Sequence, residues 1–343
     1  MSEPTSILIL HNTFGRPGDA LYDSRAGVMD QVRAVEAACR SLGYPYHTQA
    51  IDDVRHLTRV LTTGSRRLIL NLIEEFTSDL QQASLVPAVC RAFGSSCTGN
   101  DTTALLLAQN KIQAKALLAG CGLPTPEGTV VRPGAQPDTS ALPPGKYILK
   151  PAFCDASEGI DVNSVVRLPE QSDRTHLQVA SLHRQFAQPV LIERYIPARE
   201  LNVSVVQCDG QPRVMPLAEI DFSAFDDSRP RIVDYGAKWD AASFAFHHTP
   251  RKIPADLPSR IADEVRRLAA AAWNVLGCRD YVRVDFRLDE RLNPYIIEVN
   301  PNPDITPEAG FAAALTAGGI AYERFVEMML DNAQRRLMKY VQF

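Results

Sequence analysis

The run Tyr281–Leu288 (YVRVDFRL), returning as Pro294–Asn300 (PYIIEVN), constrains this chain more than any other segment. Both halves alternate apolar and polar residues, the period of a strand. A turn centred at Arg291-Leu292 makes them a hairpin, with Asp285 opposite Glu298 and Arg283 opposite Asn300. On the outgoing strand Val282, Val284, Phe286 and Leu288 share one face, and Arg283, Asp285 and Arg287 the other. Strict alternation on the return strand puts Tyr295, Ile297 and Val299 together, against Ile296, Glu298 and Asn300. Two carboxylates facing each other across paired strands repel. Either the neighbouring arginines neutralise a solvated polar face, or a hard cation lies between the acids. Asp, Glu and Asn oxygens are the ligands Mg²⁺ takes, together with substrate phosphates. The following Pro301-Asn302-Pro303-Asp304-Ile305-Thr306-Pro307 cannot continue a strand. It has to turn, wrapping polar groups and free backbone N–H donors around the carboxylate pair, and that favours the cation.

The first third alternates strand and helix signals. Ser6–Leu10 is a short apolar run, and Ala26–Leu42 has helical apolar spacing with Gly43 as its stop. Arg67–Ile73 reads as a buried strand, and Ser78-Asp79-Leu80-Gln81 has the form of a capping box opening a helix to about Phe93. This βαβα opening implies a parallel sheet. An alanine-rich helix is expected over Thr102–Leu118, and the Pro- and Gly-dense Thr125–Lys146 reads as a domain boundary. Strand-like runs follow at Lys146–Lys150, Asp161–Val166, Pro189–Tyr195, Leu201–Gln207 and Arg213–Glu219. The long aperiodic Asp221–Pro250 is expected to be a functional loop. Ser259–Leu276 is an amphipathic helix stopped by Gly277, and a last helix spans about Tyr322 to Met338.

The chain's 343 residues allow two or three domains, and its net charge of −4 leaves no basic excess for a general nucleic-acid binder. Apolar runs such as Ala104–Ala108 are too short to span a bilayer, and the N-terminus MSEPTSILILHN lacks a basic region ahead of its apolar stretch. No membrane association is expected. Seven cysteines, none at CxxC spacing, argue against a disulfide framework or zinc cluster and for a reducing, cytoplasmic setting. His247-His248 has no spaced third ligand and reads as a loop pair.

With these residues assembled, the chain resembles the ATP-grasp superfamily, most closely the D-alanine–D-alanine ligases. The hairpin looks like that family's metal-binding hairpin. Asn71–Pro126 resembles the passage from first to second domain, Tyr147–Gly159 (YILKPAFCDASEG) the strand and loop over the triphosphate, and Val190–Val203 (VLIERYIPARELNV) the adenine-side strand pair. Asp234–Trp239 (DYGAKW) resembles the lid, and Ala255–Asn300 the last helix and hairpin. The resemblance implies an α/β fold, α+β in its ATP-binding part, in three subdomains: residues 1–99, 100–200 and 201–343. The nucleotide is expected between the last two. It further implies that Lys111 and Lys150 hold the phosphates and adenine side, that Glu193 and Ile196 read adenine, and that Glu200 binds ribose. Lys238 then lies near the γ-phosphate, and Asp285, Glu298 and Asn300 hold Mg²⁺, two ions being expected and Mn²⁺ being a workable substitute. Arg283 stabilises the tetrahedral intermediate, and Ser157 is the serine retained in the triphosphate loop. Dimerisation, common in the family, is expected.

The departures from the family cluster in the substrate pocket. The acid that orients the first substrate has no convincing counterpart; Asp19 or Asp23 could substitute. A His-Gly pair is replaced by Glu74-Glu75, the lid tyrosine by Trp239, a glycine near the tetrahedral centre by Asp304, and a carboxylate-binding serine by Ala309. Asp304 either faces an amine, guanidine or hydroxyl of the nucleophilic substrate, or caps a helix over Thr306–Leu315. The expectation is an enzyme that joins a small carboxylic acid to an amine through an acyl phosphate, specialised for biosynthesis. The alternatives are an authentic D-alanine–D-alanine (or D-alanyl ester) ligase of cell-wall precursors, and a nucleotide-binding protein without turnover.

Overall fold

In a computed structural model the described residues are 6–14, 22, 26–63, 68–76, 81–226 and 228–341. The chain opens with β1 (Ile7–Asn12), α1 (Val28–Ser41), β2 (Tyr46–Ile51), α2 (Val54–Thr62) and β3 (Leu68–Leu72). A 3₁₀ turn (Gln82–Leu85), α3 (Val86–Ala92) and β4 (Ser96–Cys97) complete the first unit. The four strands form a parallel sheet in the order β2-β1-β3-β4, as the alternation implied. β2 and α2 had no clear sequence signal: β2 is only half-buried, and α2 starts because the Asp53 side chain accepts from His56 N at 2.7 Å. Ser78, Asp79 and Leu80 of the expected capping box lie outside the described residues.

The expected single helix at 102–118 is two. Asn110 leaves helical geometry (ψ 92), ending α4 (Thr102–Gln109) and starting α5 (Lys111–Gly120). Its side-chain oxygen accepts from Ile112 N and Gln113 N, a cap that competes with continuing the turn. The Pro- and Gly-dense stretch contains β5 (Gly128–Val131), a true sheet member. β6 (Gly145–Pro151), β7 (Val165–Leu168), α6 (Ser172–Phe186) and β8 (Val190–Arg194) follow. The second sheet is antiparallel, β5-β8-β6-β7, with Val179 and Leu182 of α6 packed on it.

The third sheet carries the hairpin. β9 (Arg199–Cys208) is its centre, and the run expected at 213–219 splits into β10 (Gln211–Val214) and β11 (Ala218–Ile220), both pairing with β9. Residues 221–250 hold two short helices, α7 (Tyr235–Trp239) and α8 (Phe244–His247), before β12 (Arg251–Lys252). α9 (Ser259–Leu276) lies over the sheet through Val265, Leu268, Ala269 and Ala272, and ends at Gly277 in the left-handed region (φ +66). β13 (Tyr281–Leu288) and β14 (Pro294–Asn300) close the sheet as β12-β11-β9-β13-β14. The expected helix at 306–315 starts later, as α10 (Gly310–Ala317). α11 (Tyr322–Val341) then returns to the first sheet, where Phe325, Val326, Met329 and Leu330 share one core with Ile7, Ile9, Leu68, Leu70 and α1.

The hairpin register places Arg283 opposite Asn300 and Asp285 opposite Glu298, as expected. The face assignment on β14 needs correction. A bulge follows the Asp285 pair, so Phe286 faces Ile296, and Ile297 is the extra residue. Ile296 and Val299 are therefore both in the core (0% and 2% exposed), while Glu298 keeps the polar side. Strict alternation would have left Ile296 beside Glu298, and burying that isoleucine favours the bulge.

Candidate active site

α5 delivers two lysines from one face, since residues four apart are helical neighbours. Lys111 Nζ lies 2.7 Å from Glu298 Oε1 and 3.6 Å from Asp155 Oδ1, and donates to Cys154 O at 2.5 Å. Lys115 Nζ lies 2.9 Å from Glu193 Oε2, and Lys150 of β6 pairs with the other oxygen of Glu193 on β8. Burial works against the charge on Glu193, yet the two lysines hold its pKa below the usual carboxylate value. Burial pushes Lys115 down to about 8, against the pull of Glu193. Lys115 was missed by sequence reasoning; the signal was its i+4 spacing from Lys111.

The hairpin acids are partnered from three elements. Arg283 forks onto Asp285 with two bonds of 2.7 Å, and Asn202, opposite it on β9, donates to Asp285 Oδ1 at 2.9 Å. Burial opposes the charge of Glu298, but Lys111 above all holds its pKa down to about 2. Lys238 on α7 lies within electrostatic reach; burial first, and then Arg283, lower its pKa, while Glu298 and Asp285 pull the other way. Asn300 Oδ1 accepts from Asn302 N at 3.0 Å. Asp285, Glu298 and Asn300 thus offer an all-oxygen set with two negative charges. That suits Mg²⁺, which takes few protein oxygens and fills its shell with phosphate and water. Among the described residues no group of three or more His, Cys, Asp or Glu is arranged for a metal, so a dedicated all-protein cage is not on offer. His247 ends α8 and His248 is its C-cap, rather than the expected loop pair, and their ring nitrogens bond to the carbonyls of Ala241 and Phe244.

Two loops close over these charges. Ala156 and Ser157 have positive φ (53 and 63), as does Gly159 (φ 76). A Cβ on Gly159 would stand 2.7 Å from both Phe186 and Pro151, so only glycine fits there. Ser157 Oγ donates to Val233 O (2.7 Å), Trp239 Nε1 to Ala156 O (3.2 Å) and Tyr235 N to Ile160 O (3.0 Å), which joins the loop after β6 to the segment that carries α7. Asp234 caps α7 through Ala237 N (2.8 Å), setting the helix that carries Lys238.

On the far side, Ile196 and Glu200 are both 8% exposed. Burial raises the pKa of Glu200, and Arg287, 2.7 Å away, opposes that.

Residues 147–331, more than half of the chain, match the family model described as the D-ala D-ala ligase C-terminus. The chain belongs to the D-alanine–D-alanine ligase family. A D-alanine–D-alanine ligase of Geobacter sulfurreducens is 31% identical over 260 residues, 74% of this chain and 73% of that one. The corresponding ligase of Caulobacter sp. (strain K31) is 28% identical over 305 residues, 88% of each. An uncharacterized protein of Sinorhizobium fredii is 28% identical over 269 residues, covering 78% and 75%. The D-alanine–D-alanine ligase of Bacillus anthracis, solved in complex with ATP, superposes with a TM-score of 0.74 at 18% identity over 98% of this chain and 99% of that one. The fold is therefore that of these ligases, ATP-grasp.

Three acids, Glu75, Asp155 and Asp304, lie within electrostatic reach of Glu74. Glu74 Oε1 accepts from Gln31 Nε2 at 2.6 Å. Burial raises the Glu74 pKa to about 8, and Asp304, Glu75 and Asp155 add to the rise. Asp304 does not cap α10, whose N-cap is Ala309 without a side-chain bond; its Oδ1 accepts from Thr306 N at 2.8 Å in a local turn. Asp304 is exposed, with Arg251 within electrostatic reach. Trp239 is the last residue of α7. Asp19 and Asp23 lie outside the described residues.

Proposed function

We propose that the chain is an ADP-forming carboxylate–amine ligase. A substrate carboxylate oxygen attacks the γ-phosphorus of ATP and ADP leaves. The amine then attacks the acyl carbon, the C–O bond to phosphate breaks, and the nitrogen loses its proton as the amide forms. One observation carries this reading: two hairpin carboxylates and an amide oxygen lie enclosed by Lys111, Arg283 and Lys238 under two interlocked loops. Phosphoryl transfer needs cations around the phosphates, and an acyl phosphate needs shelter from water. Mg²⁺ held by Asp285, Glu298 and Asn300 would supply neutralisation of phosphate charge. In this reading Lys111 and Lys150 hold the phosphates and adenine side, Glu193 and Ile196 read adenine, and Glu200 binds ribose. Ser157 and Lys238 close over the triphosphate, and Arg283 faces the tetrahedral centre. The subdomains are residues 1–99, 100–200 and 201–343.

The finer reading is a specialised ligase whose amine partner carries a further cationic or hydroxyl group facing Glu74 and Asp304. It is supported by the crowding of Glu74, Glu75, Asp155 and Asp304, which disfavours a substrate carboxylate there. The second reading, a D-alanine–D-alanine or D-alanyl ester ligase, is favoured by the names of the relatives. ADP release with Mg-ATP and D-alanine alone, the product weighed by mass spectrometry, separates the two. Turnover to a dimer establishes the second reading. Nucleotide binding without turnover favours the first and leads to a panel of acids and cationic amines. Binding with no turnover on any of them would point to a protein without catalysis.

A further inference from the structure

Arg287 has no role in the assignments above, yet it is among the most heavily bonded side chains in the site. It is 4% exposed. Its Nε donates to Ile196 O (2.9 Å), Nη1 to Glu200 Oε2 (2.7 Å) and Arg231 O (2.6 Å), and Nη2 to Pro197 O (3.2 Å). The guanidinium also lies over the rings of Tyr195 (5.5 Å) and Phe222 (5.7 Å). The placement follows from strand register, Arg287 standing opposite Glu200 across β13 and β9. A planar fork reaching one carboxylate and three carbonyls fixes all four relative to one another, which a lysine's point charge cannot do.

We propose that Arg287 is a specificity-determining positioning residue for the nucleoside. It fixes the Glu200 carboxylate and the 196–197 backbone in the arrangement that reads the ribose hydroxyls. The proposal rests on the nucleotide reading of this site. Glu200 Oε2 is committed to Arg287, so Oε1 is the oxygen offered to a ribose hydroxyl. A hydrogen bond to a charged acceptor discriminates about 10- to 100-fold, and only where the acceptor is held in place.

The test is calorimetric binding of ADP and 2′-deoxyADP, each with Mg²⁺, and of 3′-deoxyADP, to the whole chain and to Arg287→Met, Arg287→Lys and Glu200→Gln. The wild type is expected to prefer ADP over at least one deoxy analogue by about 10-fold or more. Arg287→Met should shrink that preference to about 2-fold, as should Glu200→Gln. Arg287→Lys, able to pair with Glu200 but not to span the carbonyls, should fall between. If Arg287→Met does not fold, the Arg287→Lys ratio decides. Equal weakening of all nucleotides with the preference intact would make Arg287 merely structural and overturn the proposal, as would a wild type that binds ADP without preference. A wild type that does not bind ADP at all would remove the nucleotide reading itself, and the proposal with it.

Discussion

Lys111 and Glu298 form the ion pair on which the site's charge balance turns. Breaking a buried pair from one side leaves a desolvated charge, which costs about 3–5 kcal/mol. Lys111→Met should therefore destabilise the fold by about 3 kcal/mol, and Lys111→Met/Glu298→Gln by clearly less than the sum of the single changes. Urea melts of the four proteins measure this, and additivity would show that the pair is not coupled. Glu74 gives a prediction of opposite sign. Its folded pKa, raised by burial to about 8, lies above its unfolded value. The stability it contributes is full below the ordinary carboxylate range and is lost as pH rises through about 8. Glu74→Gln should accordingly gain on the wild type as pH rises across that window, by several degrees in Tm, and a pH-independent gap would refute the shift. If the amine substrate is cationic it should draw Glu74 into its charged form. Binding would then release a proton, read as a dependence of calorimetric enthalpy on the buffer used.

At the scale of the element, the legible parts were those in which one periodicity ran unopposed. The 259–276 helix has a single apolar stripe and a left-handed glycine at its end, so its limits could be read directly. The hairpin register was legible because Asp285 and Glu298 are the polar members of two clean alternations. The bulge was not, because nothing local distinguishes an alternating strand from one that skips a residue to bury Ile296. Asn110 was overlooked for a related reason: inside a helix-favouring sequence, a side chain that caps the next turn looks like one that merely tolerates it. The i+4 spacing from Lys111 marks the helix face of Lys115 but not its partner Glu193, and no local pattern ties Arg287 to the 196–200 segment. Asn110 also yields a prediction. As the cap of the helix that presents both lysines, Asn110→Ala should cost about 1 kcal/mol of stability and weaken ADP binding several-fold, with Asn110→Asp restoring both. Unchanged ADP affinity in a destabilised Asn110→Ala protein would separate the cap from the site.

For the molecule as a whole, the proposed reaction makes water exclusion depend on the two interlocked loops together. Ser157 to Val233, Trp239 to Ala156 and Tyr235 to Ile160 tie the second sheet's loop to the α7 segment beside the third sheet. Ser157→Ala removes one tie without touching the hairpin acids. It should raise phosphate released per amide formed by several-fold more than it lowers ADP release, measured on whichever substrate pair proves productive. An unchanged ratio would mean the remaining ties suffice. The binding of α11 to the first sheet and of β13 to β9 has a different consequence, one of timing. Asp280 opens β13; it accepts from Gly99 N and is gripped by Arg336, so the strand carrying Arg283 and Asp285 is anchored to chain made far earlier and to a helix made later still. On a ribosome the second sheet can assemble while β9 still awaits β13 and the first sheet still lacks α11. The charged centre is then among the last features to form. A nascent chain stalled before β13 would expose one long edge of β9, a natural substrate for chaperones and for quality control rather than a half-active ligase.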